Sequence, residues 1–272
     1  MSVATRNSKL PPTLPARPTG KKRLDSPLAA KRPAQAHRSP VEAAPRGVDA
    51  RAVALAHARL HAGESFVAAQ GNRSRVYAAA KRTLDIAGAL ALTIVLSPIL
   101  LATFVVLCFT TKGRPLFVQA RVGYRGRRFP LLKFRTMRLD ADRLRHQVPN
   151  EKDGPIFKNR HDPRITRLGR WLRRSSIDEL PQFFNVLAGH MSLVGPRPPL
   201  ASEVARYEPW QLRRLAVRPG LTCLWQISGR SEIGFADWVR MDIWYLEHQS
   251  LWTDCKLLWR TPGSVLSGRG AY

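Results

Sequence analysis

The chain has 272 residues, of which 45 are basic and 19 are acidic, and its formal net charge is +26. It contains one apolar run of membrane length, which excludes a multi-spanning transporter and leaves room for about one folded domain after that run. The positive charge implies contact with an anionic lipid, an anionic substrate or a nucleic acid, and does not choose among them. Three scattered cysteines exclude a disulfide framework and a cysteine zinc site.

Residues 1–75 are rich in Pro, Ala and Arg and have little hydrophobic periodicity. Such a segment cannot bury enough apolar surface to offset its chain entropy, so we expect a disordered basic tail. Only residues 53–60 favour a short helix. No apolar core follows the first basic residues, so we expect no cleavable signal peptide. The tail is equally compatible with a role at anionic lipid and with simple solvation.

Residues 86–111 form an uncharged apolar run, and as one helix they would exceed the ~30 Å hydrocarbon core of a bilayer. Pro98 removes a helical hydrogen bond and clashes with the carbonyl of Ile94, which predicts a kink where Ser97 can bond the freed backbone. Arg and Lys flank both ends, and short basic flanks favour the cytoplasmic side. These flanking cations include Lys81, Arg82 and Arg121. We therefore predict a re-entrant membrane helix over 76–112, with a kinked spanning helix as the alternative.

Residues 113–272 are expected to form the cytosolic domain, which begins with a β-hairpin over 115–137 that turns at Gly123 to Gly126. The period of two along its second strand places Lys133 and Arg135 on one face. Two neighbouring cations can grip a phosphate, and a merely solvated basic face is the equally weighted alternative. A short helix over 140–146 and an irregular loop are expected next.

Arginines at mostly helical spacing between Arg164 and Arg174 predict a helix that directs positive charge toward Ser176, Asp178 and Glu179. A further helix is predicted over 180–188, with Gly189 as its stop. The two carboxylates would then lie at a helix N-terminus. Plain capping is one explanation, because Ser176 and Glu179 have the spacing of a capping box. The surrounding arginines favour the other explanation, a site that holds ionised carboxylates and phosphates.

Arg197 lies between Pro196 and Pro198 after a short predicted strand, and a rigid arginine suits a bidentate phosphate contact. Another strand is predicted between Gly220 and Gly229. Residues 235–247 have the pattern of an amphipathic helix, on which Asp242 shares a face with apolar residues. Asp242 is therefore a candidate for substrate binding, although an aspartate at the edge of the surface is the more ordinary explanation.

The C-terminal segment 251–260 carries one stripe of Leu, Trp and Cys beside Lys256 and Arg260. This mixture is typical of a helix in the lipid interface, and core packing is the alternative.

Together these segments closely resemble the bacterial sugar transferases, the monotopic phosphoglycosyl transferases that start lipid-linked polysaccharide assembly. The matching stretches run in order from residue 80 to residue 261 and include AKRTLDIAGALAL, KFRTMRLDAD, RRSSIDELPQFFNVLAGHMSLVGPRPPL and RPGLTCLWQISGR. A match of several motifs in order is far more specific than one short pattern. The chain looks like the short, catalytic form of this family.

The resemblance implies an α+β monotopic membrane enzyme on the cytoplasmic face of the bacterial inner membrane. It would move hexose 1-phosphate from a UDP-hexose to undecaprenyl phosphate and release UMP. In that family pattern Asp178 is the nucleophile that forms a phosphosugar intermediate, and Glu179 is its partner linked to Mg²⁺. Arg173 and Arg197 match arginines near phosphates, and Ser97-Pro98 matches the break of the re-entrant helix.

Two other classes of protein fit the charge alone. A membrane-tethered nucleic-acid-binding protein would bind DNA or RNA in a salt-sensitive manner that is indifferent to Asp178. A scaffold that anchors partners to lipid would tolerate the change Asp178→Asn. We expect the enzyme, with no nucleic-acid partner. The sequence does not define which sugar is transferred or whether the chain forms oligomers.

Overall fold

The computed structural model describes residues 75–151, 154–229 and 233–267. The predicted basic tail and the short helix at 53–60 lie outside the described residues. Within the described part, helices combine with two small sheets, which agrees with the predicted α+β class.

Two helices open the described chain, α1 (Arg75–Val95) and α2 (Ser97–Thr110). They meet at a 63° bend, and the Ser97 hydroxyl donates to the carbonyl of Ile94 at 2.8 Å. The kink predicted at Ser97-Pro98 is therefore present. Of the described helices, none alone has the length and apolarity to cross a membrane, whereas this bent pair has both when taken together.

The basic residues that precede the apolar run are partly engaged within the fold. Lys81 pairs with the buried Asp254 at 2.8 Å, and Arg82 donates to the carbonyls of Val186 and Leu187. These two cations attach α1 to the rest of the protein. The sequence had indicated only that they flank the apolar run at the membrane.

The predicted hairpin consists of β1 (Leu116–Val122) and β2 (Arg128–Phe134), which pair antiparallel with Phe117 opposite Lys133. The predicted helix over 140–146 is wrong, because that segment forms successive turns that end in a 3-10 helix (Arg145–Gln147). Hydrogen bonds from Ala141 to Arg138 and from Arg143 to Asp140 span three residues, so no α-helical ladder forms.

The central elements follow closely on one another. They are α3 (Arg167–Arg174), a 3-10 turn (Ile177–Glu179), α4 (Gln182–Leu187), β3 (Ser192–Val194), α5 (Ala201–Val204), a 3-10 helix (Pro209–Ala216) and β4 (Gly220–Thr222). Strands β3 and β4 pair in parallel, and a Cβ on Gly220 would lie 2.0 Å from the backbone nitrogen of Gly195. Only glycines allow the chain segments to approach this closely.

Three helices complete the described chain, α6 (Leu224–Ser228), α7 (Phe235–Glu247) and α8 (Leu251–Ser267). The strand predicted between Gly220 and Gly229 is thus half wrong, because it ends at Thr222 and α6 follows. The bounds of α7 are as predicted. On α8, Trp252 is 74% exposed and Trp259 is 87% exposed, so core packing does not explain this stripe.

One apolar cluster joins α7 to the segment around α5, and a second joins α1, the hairpin, α4 and β3. The second cluster fixes α1 against the elements that carry the carboxylates. The helix that belongs to the apolar run and the candidate site are therefore parts of one packed core.

Candidate active site

A cavity of about 340 Å³ is bounded by the hairpin, the turn at 176–179 and the loop after β3. Six of the seven residues predicted to act together line it, namely Lys133, Arg135, Arg173, Asp178, Glu179 and Arg197. The seventh, Asp242, does not line this cavity. The structure thus brings together residues that lie up to 64 positions apart, from Lys133 to Arg197.

Asp178 and Glu179 belong to the 3-10 turn that precedes α4, not to α4 itself. Asp178 is only 6% exposed. Burial, followed by the neighbouring charge of Glu179, raises the pKa of Asp178 to about 7, while Lys133 and Arg173 act in the opposite direction. A carboxylate with this pKa is ionised in a large fraction of molecules near neutral pH and is poorly solvated, which suits a nucleophile.

The capping box predicted for Ser176 and Glu179 is wrong. The Ser176 side chain makes no capping hydrogen bond, and Ser176 has φ 57° and ψ 15°, in the left-handed region. The turn is instead closed by the backbone, in which Glu179 donates to the carbonyl of Ser176. Capping therefore does not account for the acidic pair.

Arg173 reaches the cavity because α3 packs unusually close to the end of the hairpin. A Cβ on Gly169 would lie 1.9 Å from the carbonyl oxygen of Thr136, so only glycine fits at this contact. The Arg173 Nε donates to the Thr136 hydroxyl at 2.9 Å. Arg173 is thereby held with its charge toward Asp178, although burial lowers its pKa.

Lys133 enters the same cavity from β2. Burial lowers its pKa to about 8, and the charge of Asp178 acts to raise it. Arg135 lines the cavity as well, but its guanidinium donates to the carbonyls of Arg114 and Leu116. Lys133 and Arg135 therefore differ in their availability for a phosphate, because the Arg135 guanidinium already makes hydrogen bonds at the start of the hairpin.

Arg197 stands on a loop that is held by its backbone. The Pro196 carbonyl accepts from Gly220, the Arg197 carbonyl accepts from Arg214, and the Pro198 carbonyl accepts from Arg121. Among the described residues, the guanidinium of Arg197 itself makes no hydrogen bond. A fixed backbone with an uncommitted guanidinium is well suited to bind a phosphate.

Asp242 is placed differently from its prediction. It is 1% exposed and pairs with Arg214 at 2.5 Å. Asp242 is therefore neither placed to contact substrate in the cavity nor located at the edge of the surface. Burial raises the pKa of Asp242 to about 6, and Arg214 acts to lower it. Arg214 also donates to the Arg197 carbonyl, and the charge of Arg197 acts to lower the pKa of Asp242, so Asp242 is linked to the cavity through these two arginines.

The sequence reasoning missed Arg121, which was counted as one of the charges flanking the apolar run. Arg121 is 5% exposed, lines the cavity and donates to Gln119 and to the Pro198 carbonyl. Burial lowers its pKa to about 10. The alternation of Phe117, Gln119 and Arg121, in register with Lys133, was the signal that could have found it.

A further part of the cavity wall was also missed. It comes from the irregular loop, where Arg164 pairs with Asp162 at 2.7 Å and lies over the ring of Phe157. Burial acts to raise the pKa of Asp162, but the hydrogen bonds from Arg164 outweigh burial and hold that pKa below its usual range. Irregular backbone gives no periodic signal, so this wall could not be predicted from spacing.

A second cavity of about 390 Å³ adjoins the first and is lined mainly by aliphatic side chains. Its walls come from α1, α4 and α8, and Ser176, Glu179 and Gln226 line both cavities. The polar and the apolar space therefore meet at the acidic turn.

A divalent cation was predicted at Glu179. Within the described residues no cluster of three or more His, Cys, Asp and Glu side chains could hold a metal by itself. The Glu179 carboxylate lines the cavity and makes no hydrogen bond or ion pair with the described residues. Since Mg²⁺ is commonly held by one or two carboxylates together with substrate phosphates, this donor set fits a cation that arrives with a phosphorylated substrate.

Comparison with protein families matches residues 76–268 to the model described as bacterial sugar transferase. The chain belongs to this family. The match includes both bent helices, the hairpin, the acidic turn and α8, so the whole candidate site of the sugar transferase lies within it.

Three relatives illustrate the similarity. The galactosyl transferase CpsE of Streptococcus agalactiae is 46% identical over 196 residues, which are 71% of this chain and 43% of CpsE. The undecaprenyl-phosphate galactose phosphotransferase of Salmonella typhimurium is 41% identical over 202 residues, 71% of this chain and 41% of that protein. The exopolysaccharide production protein ExoY of Rhizobium meliloti is 37% identical over 199 residues, 71% of this chain and 88% of ExoY. The sugar transferase thus covers less than half of the first two proteins and most of ExoY.

Proposed function

We propose that the protein transfers hexose 1-phosphate from a UDP-hexose to undecaprenyl phosphate and releases UMP, as the initiating step of exopolysaccharide or related glycan synthesis. The observation that carries this proposal is the buried Asp178, which faces Lys133 and Arg173 in a polar cavity. Family membership supports the reaction class, and the names of the Salmonella and Rhizobium relatives support the lipid carrier and the pathway class.

In the first step, a carboxylate oxygen of Asp178 attacks the sugar-bearing phosphorus of the donor. The bond from that phosphorus to the bridging oxygen breaks, and UMP leaves with the bond's electron pair. Lys133, Arg173 and Arg197 neutralise the charge that develops on the phosphoryl oxygens. The raised pKa of Asp178 reflects an incompletely solvated carboxylate, which is a better nucleophile than one in water.

In the second step, a phosphate oxygen of the acceptor attacks the same phosphorus. The bond between phosphorus and Asp178 breaks, the carboxylate is restored, and a diphosphate links the hexose to the lipid. Splitting the transfer lets two bulky substrates use one site in succession. Glu179 would hold Mg²⁺, which supplies charge neutralisation to the phosphates when it is bound.

The proposed location is the cytoplasmic face of the bacterial inner membrane. The bent pair α1 and α2 has the length and composition for a re-entrant segment, and exposed tryptophans on α8 suit a lipid interface. The apolar cavity between α1 and α8 reaches the acidic turn, so a lipid-linked acceptor has a route to Asp178.

Binding of nucleic acid fits this geometry less well. Lys133, Arg173 and Arg197 line the same concave space as the carboxylates, whereas nucleic-acid binding favours a basic stripe along an open surface. The cavity supports recognition of a small anionic ligand.

The direct test is UMP release by the purified full chain, with undecaprenyl phosphate and a panel of UDP-glucose, UDP-galactose and their N-acetylated forms. We expect release with at least one donor, and a loss on the order of a thousandfold or more in Asp178→Asn. Asp237→Asn is the matched control, because Asp237 is an exposed aspartate of α7. Full activity in Asp178→Asn, or DNA or RNA binding in place of UMP release, would contradict the proposal.

The topology has a separate test in a cysteine-free background, with Ala78→Cys and Arg114→Cys labelled from each side of the membrane. A re-entrant segment places both labels on the cytoplasmic side. Labels on opposite sides would instead favour a spanning helix.

A further inference from the structure

The junction between the two cavities carries an inference that rests on the proposed function and deepens it. We propose that the Ser176 hydroxyl binds the phosphate of the lipid acceptor, so that Ser176 serves the second transfer step and not the first. Its neighbour at the junction, Gln226, supplies a second hydrogen-bond donor.

The first observation is the position of Ser176. Ser176, Glu179 and Gln226 line both the polar cavity and the apolar cavity. A polyprenyl phosphate has a charged head and an aliphatic tail, so it needs a polar space continuous with an apolar one. The apolar cavity is formed by Leu84, Gly88 and Leu92 of α1, together with apolar residues of α4 and α8. Its occupant is therefore the acceptor's isoprenoid chain, and the head lies at the junction.

The second observation is the contrast between Ser176 and Asp178. Ser176 precedes the 3-10 helix at 177–179 in a left-handed conformation, and it lines both the polar and the apolar cavity. Asp178 lines only the polar cavity. Ser176 therefore adjoins the apolar space, which Asp178 does not.

The third observation is that the hydroxyl is uncommitted. Among the described residues, the Ser176 side chain makes no hydrogen bond, and the expected capping bond to Glu179 is absent. The neighbouring Ser175 differs, because its hydroxyl donates to the carbonyls of Trp171 and Leu172. At Gln226 the amide oxygen accepts from the Cys223 thiol, which leaves the amide nitrogen as a donor.

The fourth observation is the backbone at this position. Ser176 has φ 57°, a left-handed conformation in which glycine is favoured over any residue with a Cβ. A serine here is disfavoured by the backbone and uses its hydroxyl for no internal bond. A function for the hydroxyl in substrate binding explains why a side chain is present at all.

The backbone also provides the sharpest test, because Ser176→Gly removes the hydroxyl and places the residue type that tolerates the left-handed conformation best. Ser176→Ala removes the hydroxyl and keeps the unfavourable conformation. Ser175→Ala is the matched control, since it removes a hydroxyl one position away that bonds only within α3 and its end.

The experiment separates the two steps. The full chain is first incubated with UDP-hexose alone, and UMP and the covalent adduct are measured in one turnover. Undecaprenyl phosphate is then added over a range of concentrations, and the decay of the adduct is followed. We expect Ser176→Gly and Ser176→Ala to form the adduct within about twofold of the wild-type rate, and to need about ten- to a hundredfold more acceptor for half-maximal decay, the loss expected for a hydrogen bond to a charged group.

Each other outcome has a definite meaning. If Ser176→Gly passes the sugar phosphate to the acceptor as the wild type does, the hydroxyl is not a ligand and the inference is wrong. If both variants slow UMP release with donor alone, Ser176 serves the donor and the inference is also wrong. If the wild type forms no adduct, the covalent mechanism under the proposed function fails first, independently of Ser176.

Discussion

Asp178 and Asp242 are two buried aspartates with arginines nearby, and they differ in what they face. Burial raises the pKa of both, to about 7 for Asp178 and about 6 for Asp242. Asp178 faces a cavity together with cations from separate elements. Asp242 pairs directly with Arg214 inside the core. Burial and nearby positive charge therefore do not distinguish these two aspartates, whereas access to the cavity does.

The largest expected difference between the two regions is in stability. Asp242→Asn leaves Arg214 buried without its counter-ion, so we expect the free energy of unfolding to fall by about 3 to 5 kcal/mol. Asp178→Asn removes an incompletely solvated charge and should leave stability unchanged or higher at pH 8. Because the folded-state pKa of Asp178 is raised to about 7, stability falls progressively as pH rises from the ordinary pKa of an aspartate to about 7, and this loss is complete at higher pH.

Urea unfolding of both variants in one detergent would measure this difference. An Asp242→Asn protein as stable as the wild type would mean that Arg214 finds another partner, and the contrast between the regions would disappear.

The next effect concerns the cations that face Asp178. Arg173→Ala removes a charge held by Thr136 beside Asp178, the proposed nucleophile, so we expect kcat to fall by about a hundred- to a thousandfold, the usual effect of removing one preorganised donor. Arg174→Ala is the matched control, because Arg174 is the adjacent and exposed arginine of the same helix. Steady-state UMP release measures both variants. Equal losses would show that general charge, and not the geometry of Arg173, supports the reaction.

A third prediction uses pH. The proposed first step needs ionised Asp178, so the rate of single-turnover UMP release should rise with pH through a midpoint near 7. One pH unit below that midpoint, the rate should be roughly tenfold lower than its high-pH plateau. Lys133→Met removes a charge that favours the ionised form, so we expect the midpoint to move to higher pH by about one unit. Asp242→Asn should leave the midpoint in place. A midpoint that moves with Asp242 and not with Lys133 would reverse the assignment of the two aspartates.

The smallest expected effect lies in the Asp242 region. Tyr207→Phe removes the hydroxyl that accepts from Arg214 at 2.9 Å, so the free energy of unfolding should fall by about 1 to 2 kcal/mol. The donor and acceptor concentrations for half-maximal rate should not change, because Tyr207 does not line the cavity. A changed dependence on either substrate would show that this region acts on the cavity more directly than through Arg214.

The sequence predicted those parts of the fold whose signal is local. Helix α7 is recognisable from its apolar periodicity, and the hairpin is recognisable from alternation around Gly123 and Gly126. The acidic turn and the proline-flanked Arg197 were found from motifs. In each case the residues that decide the structure are near one another in the chain.

The wrong predictions concern positions whose structure depends on residues far away in the sequence. Asp242 and Arg214 are 28 positions apart, and nothing in either segment predicts that they pair. The charge of Arg121 was assigned to the membrane flank, although the loop after β3 buries it. The capping box at Ser176 had the right spacing but the wrong backbone, because Ser176 is left-handed and its side chain makes no capping hydrogen bond.

The proposed function requires that Asp178 becomes covalently bonded to the sugar phosphate. The most direct measurement is rapid acid quenching of the wild-type chain with UDP-hexose and no acceptor, followed by proteolysis and mass spectrometry of the peptide that contains residues 175–182. We expect one hexose phosphate on Asp178, formed in step with UMP release and lost when undecaprenyl phosphate is added. Full turnover with no adduct on this peptide at any time, or an adduct on another residue, would contradict it.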